Sequence, residues 1–404
     1  MQLLRMAVRN VFRNKRRSFL TASVIAFGVT GMIYMTSMLA GSTEQILTNT
    51  IRTQTGHVKV TAPGYTEAAR TLPVDLALSD PASLTNRIEQ MPEVDFITPH
   101  IQFGGTLSNG VRSLSMMVQA VDPQREARTN HLNKKMIAGH YLTGGNQLLV
   151  GKKFANDLNL KVGDTLSLVA TTAQGAMNAA DLEITGIFQS GLGMFDETTV
   201  VMPLDSAQSL LNMQNQATDL TVYLKNRTDS DAIKGKIESF GNCEVRTWQV
   251  MNKDLTDLMK VKSKTSGIAL GVLVLIAIFS IVNTMLMSVT ERIREIGTLL
   301  AMGTYQREIV GLFLCEGGML GVLGGFLGAL VGGLISWHLA TVGMNVGSMS
   351  GSIDIAIGDV LYGSFSWGSI IGAFLFGVLI AVVAAIYPAW MASRLEPIEA
   401  LRHV

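Results

Sequence analysis

Four long apolar stretches divide the chain, over residues 18–43, 265–290, 309–340 and 367–391. A hydrocarbon core of ~30 Å is crossed by ~20 helical residues, and each stretch is longer than that. The polar segment between the first two, residues 44–264, is large enough to fold as a domain. The pattern therefore predicts an α-helical membrane protein with four transmembrane helices and a large extracytoplasmic α+β domain between helices 1 and 2.

The polar segment alternates between helical and strand-like periods. The first span is expected to continue outward as a stalk, and two helix-then-strand units, residues 83–101 and 230–248, flank a β-rich insertion at about 140–212. Such an arrangement predicts an α+β subdomain assembled from both ends of the segment. Inside the insertion, the soft polar stretch 170–180 predicts a protruding hairpin. It is either an ordinary surface loop or a contact arm for a partner, with Thr172, Gln174, Gly175 and Met177 as its candidate residues.

Glycines recur every four residues in the third span, in two rows. The rows are Gly317, Gly321 and Gly325, and Gly324, Gly328 and Gly332. Small residues at this spacing let helix backbones approach closely in lipid. The rows therefore predict close helix packing.

The composition agrees with a membrane protein. The 404 residues are 48% hydrophobic and only 16% charged, against ~25% charged in soluble domains. A net charge of +1 hides a basic N-terminus, because residues 1–17 hold six Lys and Arg and no acid, whereas the loop 341–366 holds neither Lys nor Arg. The positive-inside rule then predicts that both termini, including the tail 392–404, lie in the cytoplasm and that the large domain lies on the opposite side of the membrane. Residues 1–17 read as an amphipathic helix on the inner leaflet or as a topology signal.

No motif for catalysis stands out. The chain has no HExxH and no CxxC. Cys243 is expected in the large outer domain and Cys315 in the third span, so the two lie in different compartments and no disulfide is predicted. The segment GNQLLVGKK, Gly145–Lys153, departs from a phosphate loop in spacing and in its last residue. We expect no enzyme activity, no metal site and no nucleic-acid partner. Glu316 is the one acid well inside a span, and Asn283 is its candidate interhelical hydrogen-bond partner.

Three segments resemble the signature of the FtsX-like permease family, the membrane subunits of MacB-type (type VII) ABC systems. They are Ala7–Val29, Glu291–Ile309 (ERIREIGTLLAMGTYQREI) and Tyr387–Arg402 (YPAWMASRLEPIEALR). Within the family, Leu148–Leu168 and Leu182–Leu211 look most like the lipoprotein-releasing (Lol) permeases. In the Lol permeases the arm between two matching strands hooks the soluble carrier.

The resemblance implies that a separate ATPase dimer docks on residues 291–308 and on the tail, and that ATP and Mg²⁺ bind to that partner. This chain would bind no cofactor, since it has no Walker motif; in MacB proper the ATPase is fused before the first span, and this chain departs from that pattern. The candidate ATPase-coupling residues are Glu291, Arg292, Ile293, Arg294, Glu295, Ile296, Gly297, Leu300, Met302, Gly303, Leu395, Pro397 and Leu401. Other implied partners are a second permease copy, identical or related, a periplasmic carrier or adaptor, and membrane lipids.

The sequence is compatible with three functions. The first is extraction of lipoproteins from the inner membrane, in which an apolar cleft of the first two spans receives acyl chains. Its candidate residues are Met32, Met35, Met38, Leu270, Leu273, Ile276 and Met285. The second is MacB-type mechanotransmission for efflux of periplasmic substrates. The third is a scaffold that regulates division or cell-wall hydrolases.

Overall fold

A computed structural model describes residues 6–7, 9–10, 13, 15–129, 132–346 and 360–396. The chain forms two compact units. The membrane unit comprises Met1–Thr43, Leu258–Met344 and Leu361–Val404, and the outer domain comprises Glu44–Asp257 with Asn345–Val360.

Helices and strands are numbered in chain order. The helices are α1 (Lys15–Thr50), α2 (Tyr65–Ala68), α3 (Pro81–Glu89), α4 (Pro123–Glu126), α5 (Lys152–Leu158), α6 (Gly193–Thr198), α7 (Leu204–Leu211), α8 (Ser230–Glu238), α9 (Trp248–Met251), α10 (Lys253–Glu291), α11 (Ile293–Ala301), α12 (Gln306–Thr341) and α13 (Trp367–Ser393). The strands are β1 (Val58–Thr61), β2 (Val94–Ser108), β3 (Ser113–Val121), β4 (Met136–Gly139), β5 (Gln147–Gly151), β6 (Thr165–Thr171), β7 (Met177–Phe188), β8 (Thr199–Pro203), β9 (Asp219–Leu224), β10 (Glu244–Thr247), β11 (Met344–Asn345) and β12 (Val360–Leu361).

Four helices, α1, α10, α12 and α13, are long and apolar enough to cross a membrane. This confirms the predicted fold class. α1 extends beyond the predicted span and continues as one π-helical turn, Ile51–Thr55, which gives 41 residues in all. α13 runs through Pro388 to Ser393, so this proline does not end the helix.

The two glycine rows of α12 face different neighbours. A Cβ atom at Gly317 would lie 2.6 Å from Ala385 Cβ of α13, and one at Gly321 would lie 2.8 Å from Ala381 Cβ. Those at Gly324 and Gly328 would each lie 2.6 Å from a backbone oxygen of α1. The close packing predicted from the fourfold spacing is therefore confirmed, and α12 uses one row for α13 and the other for α1.

The outer domain is built on one sheet in the order β10-β1-β9-β2-β3-β8-β5-β7-β4, with β6 paired to β2 and β7. Within this sheet, β3–β8 and β5–β7 are parallel and the other pairs are antiparallel. β2 has 15 residues and reaches across both halves of the domain, because it pairs with β9 near its start and with β6 near its end.

Of the three hydrophobic cores that the described residues form along this sheet, two bear on the predicted subdivision. One joins β1, β9 and β10 to α3 and α8, so that residues from both ends of the segment form one subdomain, as the repeated helix–strand units predict. The other contains β5, β6, β7 and β8 together with Ile101, Phe103 and Val118. These three precede residue 140, so the β-rich core begins earlier than the predicted insertion because β2 and β3 are shared.

The predicted protruding hairpin is present but is tied down at its tip. β6 and β7 pair up to Thr171 and Met177, and Thr172 is buried. The Ala173 N–H donates to Leu211 O at 3.1 Å, and Asn178 Nδ2 donates to Leu210 O at 2.9 Å. Backbone carbonyls at the end of α7 are thereby satisfied, so the tip of the hairpin is anchored to α7.

A buried ion cluster, which the scattered histidines of the sequence do not reveal, lies in the outer domain. His100 Nε2 is 2.9 Å from Glu126 Oε2, and His100 Nδ1 is 3.5 Å from Asp219 Oδ1. Lys59 Nζ is also 3.5 Å from Asp219 Oδ1. Burial lowers the pKa of His100, but the charges of Glu126 and Asp219 outweigh it and raise the pKa to about 9. Burial likewise raises the pKa of Asp219, but Lys59 and His100 lower it to about 2.

We expect the outer domain to lose stability as the pH rises through about 9. The pKa of His100 is higher in the folded chain than its ordinary 6.5, so the stabilisation is complete below pH 6.5 and is lost as the pH passes the folded value. The loss should be on the order of 3 kcal/mol. Hydrogen exchange of the β2 and β9 amides in the full chain, from pH 6 to 10 and corrected for the intrinsic exchange rate, measures it.

His100→Gln should remove this pH dependence. His140→Gln, which changes an exposed histidine of the same domain, should keep it. An equal pH dependence in His100→Gln and the native chain would contradict the assignment.

Candidate functional site

The segment between α10 and α12 forms a short helix bounded by two sharp turns. α10 ends at Glu291, and Arg292 leaves the helical conformation with φ −120° and ψ 19°. α11 then runs to Ala301, and Gly303 turns the chain at φ +92°. The helical path is therefore interrupted at Arg292. A side chain other than glycine is strained at φ +92°, so Gly303 is required by the turn.

The apolar face of α11 packs against its own chain. Ile296 and Gly297 are buried, and Leu299 and Leu300 contact the same cluster. The partners in that cluster are Val289, Ile309, Phe313, Ala389, Ala392 and Leu395. Leu395, a candidate coupling residue, is thus partly buried against this cluster. Pro397 and Leu401 lie outside the described residues. A force on α11 would reach the ends of α10, α12 and α13 through this cluster.

The opposite face of α11 is exposed. Arg294 and Thr298 lie on it, and Met302 and Tyr305 are each 76% exposed at the following turn. Two large side chains with apolar surface at one exposed turn are typical of a contact point for another protein. Met302 is one of the candidate coupling residues, whereas Tyr305 is not, because the local pattern does not distinguish Tyr305 from the start of α12.

Arg292 anchors α11 to α12 through a buried ion pair. Its Nη1 donates to Glu316 Oε1 at 2.9 Å, and its Nε donates to Glu295 Oε2 at 2.9 Å. Asn10 Nδ2 also donates to Glu316 Oε1, at 2.6 Å. The predicted pairing of Glu316 with Asn283 is therefore wrong, because Asn283 lies on an exposed face of α10. Glu316 has a basic partner that arrives from the turn before α11.

Arginines of the N-terminal segment bind the same region from the other side. Arg13 Nη2 donates to both carboxylate oxygens of Glu295, at 2.8 and 3.0 Å. Arg17 donates to Glu291 Oε2 and to Ser288 Oγ, each at 2.6 Å. Much of the predicted amphipathic helix 1–17 is outside the described residues. Arg13 and Arg17 nevertheless join the start of α1 to the end of α10 and to α11.

The charges of this network reinforce one another. The hydrogen bond from Arg13 holds the pKa of Glu295 below its ordinary value, and Arg292 adds to this. Burial lowers the pKa of Arg292, but Glu295 and Glu316 outweigh it and raise the pKa. Glu295 and Arg292 therefore both remain charged at neutral pH, and their contact persists as an ion pair.

The predicted substrate cleft is only partly assembled within one chain. Met32, Leu270 and Leu273 line an apolar pocket between α1, α10 and α13, together with Phe376 and Ile380. The other predicted residues lie elsewhere: Met285 is buried in the interhelical core, Ile276 is 59% exposed, and Met35 and Met38 are half-buried outside the pocket lining.

α10 is the least covered of the four long helices. In the most apolar 18-residue stretch of α10, only 6% of the residues are buried, against 28–33% in the corresponding stretches of the other three helices. Its exposed side chains are Val261, Ile268, Val272, Leu275, Ile276, Phe279 and Met287, with Asn283 among them. A polar amide on this face is costly in lipid, which favours a protein neighbour there.

Among the described residues, no group of three or more His, Cys, Asp or Glu side chains is arranged to hold a metal ion. Cys243 and Cys315 are free thiols.

Comparisons with known proteins match nearly the whole chain. The model of the MacB-like periplasmic core domain matches residues 18–240, and that of the FtsX-like permease C-terminal region matches residues 267–397.

Three relatives are representative of the similar proteins. The lipoprotein-releasing system transmembrane protein LolC of Xylella fastidiosa is 25% identical, over 97% of this chain and 96% of its own length. LolE of Haemophilus influenzae is 23% identical, over 93% and 92%. The macrolide export ATP-binding/permease protein MacB of Shewanella sp. ANA-3 is 26% identical, over 99% of this chain and 60% of its own length. Since one family model alone covers more than half of the 404 residues and a second covers most of the remainder, the chain belongs to the FtsX-like, MacB-type family of ABC transporter permeases.

Proposed function

We propose that this permease couples ATP hydrolysis by a separate cytoplasmic ATPase to the extraction of lipoproteins from the outer leaflet of the bacterial inner membrane. The observation that carries the proposal is the anchoring of α11. Its exposed face is available to a partner, while Arg292, Glu295 and the apolar cluster fix it to α10, α12 and α13. The chain is in this proposal a non-catalytic lever, and ATP and Mg²⁺ bind to the partner.

Lipoprotein extraction is favoured over other work by the relatives and by energetics. The Lol-named relatives align over almost their whole length, as this chain does. Removing a sixteen-carbon acyl chain from a bilayer costs on the order of 12 kcal/mol, at ~0.8 kcal/mol per CH₂. An ATP-driven motor and a receiving apolar site are therefore needed. The pocket at Met32, Leu270 and Leu273 is such a site, and the uncovered face of α10 would complete it with a second permease copy.

A second candidate function is mechanotransmission for efflux, in which no substrate enters the membrane unit. The alignment with MacB over 99% of this chain favours it. The two are distinguished by purification of the chain with its cognate ATPase in native lipid and by mass spectrometry of what co-purifies. Acylated protein supports extraction, and its repeated absence would count against it. In both functions the chain has its termini in the cytoplasm and its outer domain in the periplasm, where a carrier or adaptor would bind near Gln174 and Met177.

Glu295→Ala and Gly303→Leu should uncouple the transporter. Loss of the Glu295 hydrogen bonds from Arg13 and Arg292 frees α11, and leucine at φ +92° strains the turn before α12. We expect ATP hydrolysis by the assembled complex to continue, while lipoprotein release in proteoliposomes falls about tenfold, since a charge-assisted bond contributes roughly 1.5–3 kcal/mol.

Two matched variants control this experiment. Glu67→Ala removes an exposed carboxylate of the outer domain and should release substrate normally. Gly303→Asn should retain more release than Gly303→Leu, because asparagine tolerates positive φ better. If Glu295→Ala and Gly303→Leu both release lipoprotein at the native rate, α11 has no part in coupling.

A further inference from the structure

An open cavity of about 560 Å³ lies within the outer domain. The last turns of α1, the start of β2, the turn after α4 and the end of β9 form its walls. Neither the coupling segment, residues 291–308, nor the apolar pocket between α1, α10 and α13 includes any of these residues. A cavity of this size accommodates a small ligand or the polar head of a larger one.

Aromatic rings form one wall of the cavity. Phe96 and Tyr223 are stacked with their centroids 4.5 Å apart and their planes at 17°. The guanidinium of Arg128 lies 4.9 Å from the centroid of the Phe96 ring. The Tyr223 hydroxyl donates to Arg52 O at 3.2 Å, which fixes the ring against the end of α1. The wall is therefore rigid and holds Arg128 at its edge.

Positive charge predominates around the opening. Arg52, Arg128, Lys225 and Arg227 line the cavity, whereas Glu44 and Asp95 are its acidic residues. Glu44 is already bound by Arg227 through two hydrogen bonds of 2.7 and 2.8 Å. Arg52 and Arg128 are both exposed, and within the described ranges no hydrogen bond or ion pair engages either guanidinium.

The pKa of His57, another lining residue, is lowered partly by the same positive charges. Burial lowers its pKa to about 4, and the charges of Arg52 and Arg227 add to the effect. The neutral ring accepts a hydrogen bond from the Leu224 N–H at Nδ1, 3.0 Å away. The imidazole is thus held in place as an uncharged part of the lining, and it does not compete with an anion for the two arginines.

We propose that this cavity binds a phosphate group, either on a phospholipid headgroup or as free phosphate. Guanidinium groups present several N–H donors in a plane and match the oxygens of phosphate better than a point charge does. Arg52 and Arg128 line one cavity, and neither guanidinium makes a hydrogen bond or an ion pair with a described residue. Together they offer more N–H donors than one carboxylate can accept, which favours a phosphate group. The aromatic wall beside them suits the glycerol part of a headgroup. Four lining residues come just after the predicted end of the first span in the sequence: Glu44, Thr48, Ile51 and Arg52.

Binding to the full-length chain in a neutral detergent tests the proposal without ATP. Isothermal titration uses three probes: inorganic phosphate, short-chain phosphatidylglycerol, and short-chain diacylglycerol, which lacks the phosphate. We expect saturable binding of phosphatidylglycerol or of inorganic phosphate and none of diacylglycerol. Binding of phosphatidylglycerol alone identifies a lipid headgroup as the source, and equal binding of inorganic phosphate identifies the free anion.

Arg52→Gln and Arg128→Gln should each weaken that binding about tenfold, because each removes charge-assisted hydrogen bonds. Arg112→Gln, at an exposed arginine of the β2–β3 turn, removes the same charge from the same domain and should bind normally. Arg52→Lys keeps the charge and should bind more tightly than Arg52→Gln, which separates binding from a folding defect. Absence of saturable binding by both phosphate probes, or unchanged binding in the Arg52→Gln/Arg128→Gln double variant, would overturn the proposal.

Discussion

Arg292→Ala should destabilise the membrane unit by roughly 3–5 kcal/mol and abolish coupled release of substrate. The side chains of Arg292 and Glu316 are only 10% and 5% exposed, and they are joined at 2.9 Å. Among the described residues, alanine would leave the buried carboxylate with Asn10 as its hydrogen-bond donor. A buried charge without its counter-charge is among the largest single destabilising effects in proteins.

Denaturation with SDS in mixed micelles measures the free energy of unfolding of this unit. Three of the four tryptophans, Trp337, Trp367 and Trp390, lie on α12 and α13 and report its loss by fluorescence. Arg294→Ala is the matched control, since this exposed arginine is on the same helix and its removal should change stability by less than ~0.5 kcal/mol. Equal stability of Arg292→Ala and Arg294→Ala would contradict the role of the pair.

A double replacement separates stability from coupling. Arg292→Met with Glu316→Leu removes both charges and keeps a similar volume, and such replacements are often neutral or stabilising. We expect the double variant to recover most of the stability that Arg292→Ala loses. Release of substrate should stay impaired, because an apolar contact does not fix the direction of α11 as two hydrogen bonds from one guanidinium do. Full recovery of release would make the pair a purely structural element.

Much of the architecture could be predicted because it depends on local patterns. An uncharged apolar stretch such as 265–290 is far more favourable inside a membrane than in water. The spacing of Gly324 and Gly328 indicates a close helix contact but does not identify the neighbouring helix. The spacing of Ile296 and Leu300, four residues apart, likewise predicts a helix at the coupling segment. These features follow from residues within two or three helical turns of one another.

The decisive polar contacts could not be predicted, because they join residues far apart in sequence. Arg292 and Glu316 are 24 positions apart, and only the break in the helix at Arg292 turns the guanidinium toward α12. His100 and Asp219 meet because β2 pairs with β9, which the alternation of either strand does not specify. For the pair of Arg292 and Glu316, the available signal in the sequence was a basic residue directly after the second span and a lone acid inside the third.

The double variant Gly324→Ala/Gly328→Ala should separate α12 from α1. Each added Cβ would lie 2.6 Å from a backbone oxygen, of Ala22 and Ala26 respectively, and backbone atoms cannot rotate away as the end of a side chain can. Overpacking of this kind costs about 1–3 kcal/mol per site. The gain of up to ~1 kcal/mol in helix propensity offsets only part of it. SDS denaturation followed by tryptophan fluorescence again measures the change.

Gly318→Ala distinguishes a packing defect from a general effect of alanine on this helix. Its Cβ would contact Val382 Cγ2 at 3.5 Å, an ordinary van der Waals distance, so the propensity gain should leave stability unchanged or slightly higher. The hydrogen bond from Thr30 Oγ1 to Gly328 O, 3.1 Å long, requires the same close approach of α1 and α12. Thr30→Val should therefore destabilise the native chain but add little further loss to the double glycine variant, since the bond would already be broken there. Independent, additive losses would show that α1 and α12 remain in contact despite the two methyl groups.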